Sequence, residues 1–156
     1  MSILLVLKWL HVIGAAVLLG TGAGIAFFMM MAHRTKNPTI VAHMAAIVVV
    51  ADFVFTASAI VIQPVTGVLL ANRIGWSLSE GWLVASLGLY LLTGLCWLPV
   101  VWIQIRIRDL ARQADQTGRP LPVEYHALYS RWFILGIPAF FSVLAIVWLM
   151  LAKPHF

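Results

Sequence analysis

Charge is what this 156-residue chain has least of: Asp, Glu, Lys and Arg together make 10% of it, against 63% hydrophobic residues. A soluble domain carries about a quarter charged residues, so a water-soluble fold is excluded. Disorder is excluded too, because it needs low hydrophobicity and high net charge. The single cysteine, Cys96, excludes a disulfide scaffold. A net charge of +5 and a pI near 10.0 suggest nucleic acid at first sight. That partner needs basic residues on a wetted face, and there is too little polar sequence to build one. The chain also lacks a Ser-His-Asp set, a phosphate loop and a zinc motif.

The few charges punctuate long apolar runs. Between Lys8 and Arg34 lie 25 residues without formal charge, and between Lys36 and Arg73 lie 36 with only Asp52. Another 25 separate Glu80 from Arg106, and 21 separate Arg131 from Lys153. About 20 apolar residues cross the hydrocarbon once, so each run predicts one span. The second run has the length of a hairpin but no polar turn in its middle. It reads as one long helix that loosens at Gln63-Pro64. The expectation is all-α: a polytopic membrane four-helix bundle, one domain over 1–156, with helices at about 4–32, 40–70, 81–108 and 127–152. Asp109–Glu124 then reads as a polar connection with His126 just beyond it, still in the loop.

Arg34, Lys36, Arg106, Arg108, Arg112, Arg119 and Arg131 fall on one side, and Lys8, Arg73 and Lys153 on the other. The positive-inside rule puts the first group in the cytoplasm and both termini outside. No basic stretch precedes Ile3–Leu7, so the first helix is expected to stay in the bundle and not be cleaved. Trp9, Trp76, Trp82 and Trp148 read as interfacial anchors.

Polar residues inside the spans form stripes. On the first helix Lys8, His11, Ala15, Leu18 and Gly22 share a face, with Gly14 beside them. Ala16, Gly20 and Gly24 make an opposite small-residue seam suited to close helix approach. On the second, Asp52, Thr56, Ala59, Gln63 and Thr66 line up. The third repeats the design with Ser86, Tyr90, Thr93, Trp97 and Gln104. Polar groups facing lipid are costly, so both stripes are expected to point inward.

Three constellations carry chemistry. His11, one turn inside Lys8, is either a haem axial ligand or a packed histidine hydrogen-bonded to Gln63. As a second ligand, only Met150 and His155 stand at a matching depth. Asp52 is the one acid within a span: a proton relay, a cation ligand or a structural acid bonded to Thr56 or the third helix. Met29-Met30-Met31-Ala32-His33 with His43-Met44 offers soft copper ligands, though methionine is also ordinary filler in apolar helices. Cys96 reads as inert core.

The opening Lys8-Trp-Leu-His11-Val-Ile-Gly-Ala, with Leu-Leu-Gly-Thr-Gly-Ala-Gly24, resembles an uncharacterised domain-of-unknown-function family of predicted bacterial integral membrane proteins. So do Ala51-Asp-Phe-Val-Phe-Thr56, Gln63-Pro-Val-Thr-Gly67, Cys96-Trp-Leu-Pro-Val-Val-Trp-Ile-Gln104-Ile-Arg106 and Trp132-Phe-Ile-Leu-Gly-Ile-Pro138. More distantly, Lys-x-x-His early in the first helix is similar to HemJ-type protoporphyrinogen oxidases and CopD-type copper-resistance membrane proteins. That second resemblance implies haem b on His11 with Lys8 beside it. Gly14, Ala15 and Gly22 would then make room for the macrocycle, with Gln63 nearby. Two function classes follow. One is a b-haem redox protein of the bacterial inner membrane, exchanging electrons with quinone, a porphyrinogen or another membrane protein. The other is a non-enzymatic membrane component: metal handling, transport or an accessory subunit.

Overall fold

The computed structural model describes residues 2–154. His155, weighed above as a haem ligand, lies outside them. Helix α1 (Ile3–Arg34) begins at Ser2, whose hydroxyl accepts from Leu5 N–H at 3.4 Å. Asn37 caps α2 (Pro38–Ala51) by accepting from Thr39 N–H at 2.9 Å, and Pro38 occupies the first helical position, where its missing N–H costs nothing. A π-helical turn (Asp52–Thr56) joins α2 to α3 (Ala57–Ile74), which stops at Gly75 with φ 86°. Helices α4 (Gly81–Gln116) and α5 (Val123–Ala152) complete the chain. The segment from Pro38 to Ile74 is one rod of 37 residues, so four helical rods result, each long and apolar enough to cross a membrane. The protein is an all-α membrane four-helix bundle.

Three boundary expectations are corrected. The second rod runs unbroken through Gln63-Pro64, and its irregularity lies at Asp52–Thr56 instead. The third span does not stop near 108 but continues to Gln116. Ile103, Ile107, Leu110, Ala111 and Ala114 keep a buried stripe going, while Arg112 and Gln113 face out. The charges that suggested an end to the membrane do not end the helix. Helix α5 starts at Val123, which places His126 on its exposed first turns and not in a loop.

The core sits at the Arg-rich end. Ile25, Met29 and Ala32 of α1 pack there with Val41, Ala45 and Val48 of α2, Ile103 and Ile107 of α4, and Leu128 and Trp132 of α5. Tyr125 is fully buried among them, its hydroxyl 2.9 Å from His33 Nδ1, and the His33 ring lies parallel to Tyr129 at 3.7 Å. Of the rim methionines and histidines, Met29 is core with Met44 packed against the same cluster, His33 is stacked on Tyr129 and His43 is exposed.

Toward the other end α1 stays with α3, and α4 stays with α5. A small cluster of Ala71, Trp82, Leu83 and Leu149 closes the far end. Trp82 is only 5% exposed and packs within the bundle; the Lys153 ammonium stands 5.8 Å from its ring and 5.3 Å from that of Trp76. Trp9 and Trp148 are exposed as interfacial residues should be. The Ala16–Gly20–Gly24 seam meets no helix. A methyl built on Gly20 or Gly24 finds nothing within 4 Å, because α1 turns its Gly14 face to α3.

Candidate functional site

Where the α1–α3 and α4–α5 pairs diverge they leave a cavity of about 470 Å³, open on one side and overwhelmingly apolar. Its walls include Ala15, Leu18 and Gly22 of α1 and Phe133, Gly136 and Phe140 of α5. Polar groups enter it from two places, the π turn with α3 and the inward stripe of α4.

Asp52 is 3% exposed and ties three helices together. Its Oδ1 accepts from Trp97 Nε1 at 3.2 Å. Gln104, oriented to satisfy both neighbours, donates to Asp52 Oδ2 at 2.9 Å and accepts from Trp132 Nε1 at 3.2 Å. Trp97 and Gln104 each donate a neutral N–H, one to each carboxylate oxygen, and they bring no ring of oxygens for a hard cation.

Thr56 follows one turn later and is 8% exposed. Ser58, Thr66, Ser86 and Thr93 all fold their hydroxyls back on a carbonyl four residues earlier. Thr56 does not. In the π turn its own i−4 carbonyl, that of Asp52, accepts from Ala57 N–H. Thr56 Oγ1 lies beside the Asp52 carboxylate but makes no well-formed hydrogen bond to it or to any other group, and it lines the cavity.

The second device is built on proline. Pro64 has no N–H to give the Ile60 carbonyl. Tyr90 of α4 donates its hydroxyl to that oxygen instead, bridging the cavity. Thr93, one turn along the same stripe, lines the wall.

His11 lies outside the cavity lining, in the α1–α3 contact. Thr66 spends its hydroxyl proton on Ile62 O at 2.8 Å, so His11 Nδ1–H donates to Thr66 Oγ1 at 2.9 Å. Gln63 reaches the His11 backbone: its Nε2 donates to His11 O at 2.8 Å. The partner of the His11 ring is therefore Thr66, one turn from the Gln63 expected. Gly14 makes room for Gln63, since a Cβ there would stand 2.5 Å from Gln63 Nε2. Gly67 seats the imidazole, whose Cε1 would be 3.2 Å from a Cβ at that position. Lys8 is exposed.

A haem on His11 fits this neighbourhood poorly. The tautomer is suitable, with Nδ1–H held and Nε2 bare. The space is not: Gln63 fills the recess at Gly14 and Gly67 lies beneath the ring, and although Ala15, Gly22 and Gln63 border the open cavity, His11 itself does not. Among the described residues no three His, Cys, Asp or Glu side chains gather as a metal cluster.

Of the residues that stripe reasoning named on the second and third spans, Asp52, Thr56, Gln63, Tyr90, Thr93, Trp97 and Gln104 line the cavity, whereas Ala59, Thr66 and Ser86 do not. The stripes missed Trp132 and Gly67. Trp132 carried a signal, an indole N–H in a span at the depth of Gln104, needing an acceptor. Gly67 carried one as well, standing one helical turn from Gln63 on the rod facing His11.

No curated protein and no solved structure matches the chain. A family model described as "Predicted integral membrane protein (DUF2269)" matches residues 5–154, and the chain belongs to that family.

Proposed function

We propose that this protein is a binding or transport component that takes an amphipathic small molecule from the bilayer and holds its polar head between Asp52, Thr56 and Gln104. The observation that carries the reading is the Thr56 hydroxyl, buried, unpartnered and facing an apolar cavity. A buried polar atom without a partner costs free energy that a ligand's hydrogen bond recovers. Apolar walls with a few convergent polar groups are the usual make-up of a small-molecule site. The membrane is the inner membrane of a bacterium, with the Arg-rich end in the cytoplasm, as the seven-to-three split of basic residues supports.

The test uses the full chain in detergent with a decyl-benzoquinone, chosen because its head is neutral and reports on the site without a charge preference. Trp97 and Trp132 border the cavity, so binding is expected to quench tryptophan fluorescence saturably. Thr56→Val should weaken binding about tenfold, the equivalent of one hydrogen bond. An affinity unchanged in Thr56→Val, or no saturable binding of this neutral probe or of a charged amphiphile of similar size, refutes the reading. A reduced-minus-oxidised spectrum with a Soret band that disappears in His11→Ala would move the assignment to haem.

A further inference from the structure

We infer that the molecule taken by this cavity is a lipophilic organic cation, with the Asp52 carboxylate as its counter-charge; this rests on reading the cavity as a binding site. The first argument is what surrounds Asp52. The ion pairs among the described residues are Arg106–Glu124 and Arg108–Asp109, both remote from it in the chain. Its own partners, Trp97 and Gln104, are neutral. They orient the carboxylate and leave its charge uncompensated, which is expensive where water is scarce.

The second argument is the lining. No Lys, Arg or His borders the cavity from α1, α2, α3, α4 or α5. Besides Asp52, the one titratable side chain there among the described residues is Tyr90, whose hydroxyl is committed to Ile60 O. Among the described residues nothing else balances the acid, which leaves that role to a proton or an entering cation.

The third argument is the wall chemistry. Tyr90, Trp97, Trp132, Phe133 and Phe140 bring aromatic rings to the same space. Ring faces attract a desolvated cation and repel an anion. A carboxylate backed by aromatic rings in an apolar cleft discriminates by sign as well as by shape. The same carboxylate holds either a proton or the cation. Loading a protonated site therefore exchanges one for the other: the organic cation enters, the O–H bond of Asp52 breaks, and the proton leaves to solvent.

The experiment compares tetraphenylphosphonium with tetraphenylborate, ions of matched shape and opposite charge, by calorimetry on the detergent-purified full chain. The phosphonium is expected to bind at least tenfold tighter than the borate and to weaken as the pH is lowered. Asp52→Asn should lose at least tenfold in phosphonium affinity together with the pH dependence. Equal binding of the two ions, or full phosphonium affinity in Asp52→Asn, overturns the inference. Should Asp52→Asn fail to fold, the cation-against-anion contrast on the unaltered protein decides by itself. If the neutral benzoquinone binds while the phosphonium shows no advantage, the site stands and its charge preference falls. If none of the three probes binds, both readings fall.

Discussion

Pro64 and Tyr90 act as one unit, although 26 positions separate them in the chain. The proline leaves the Ile60 carbonyl without its helical donor, and the phenol supplies the replacement from another helix. Tyr90→Phe should therefore cost about 1 kcal/mol, measured as a shift in unfolding in mixed micelles. Pro64→Ala restores an N–H to Ile60 O, so in that background Tyr90→Phe should cost only a few tenths of a kcal/mol. An undiminished cost in the double variant would show that the phenol matters for another reason. Residue-level pairing of this kind is only partly legible beforehand. The lipid penalty points polar stripes inward, which is why Asp52, Thr56 and Gln104 were findable. Depth matching cannot separate Gln63 from Thr66 as the partner of the His11 ring, because three residues along a helix are a difference of only about 4.5 Å.

At the scale of elements, the π turn is the feature with no warning in the sequence. Asp52-Phe-Val-Phe-Thr56 contains neither glycine nor proline, and its flanks are continuous helix. The proline that did attract attention twelve residues on leaves the helix intact. A π turn holds one residue more than the helix needs, so removing one there can restore an α-helical ladder without rotating the flanks. Val54 and Val61 are both exposed valines of the same rod. Deleting Val54 should leave a folded, monodisperse protein that has lost the open Thr56 hydroxyl and binds the benzoquinone weakly. Deleting Val61 rotates everything beyond it by about 100° and should break the Gln63 and Thr66 contacts with α1. Chromatographic homogeneity and thermal unfolding of the two deletions distinguish the cases. Equal damage from both deletions contradicts this account of the turn.

For the whole molecule, the four spans were legible because charges interrupt the apolar runs at the places where hydrocarbon gives way to water. The end of α4 was not. There the helix leaves the membrane still packed, Thr39 donating to Asp115 while Ile107 and Ala111 sit against the α2 and α5 side chains. Charge marks where lipid stops, whereas helices stop where caps and packing stop. The arrangement of basic residues also makes a topological prediction. An alkaline phosphatase joined after Phe156 should be active, because α1 starts and α5 ends away from the Arg-rich face, which the positive-inside rule assigns to the cytoplasm. Activity from a reporter that works only in the cytoplasm, fused at the same place, would invert the molecule.

The rod from Pro38 to Ile74 has mechanical consequences. At 1.5 Å per residue it is about 55 Å long, well beyond the roughly 30 Å of hydrocarbon it crosses. Its one irregular turn lies near the middle, at the residues that line the cavity. The 18 residues of α3 beyond it form an arm of about 27 Å, so a bend of about 5° at the turn carries the far end through about 2 Å. On the proposed binding reading the rod is a lever pivoted at the cavity, and a ligand that bends the turn is expected to displace Arg73 and the turn that follows it.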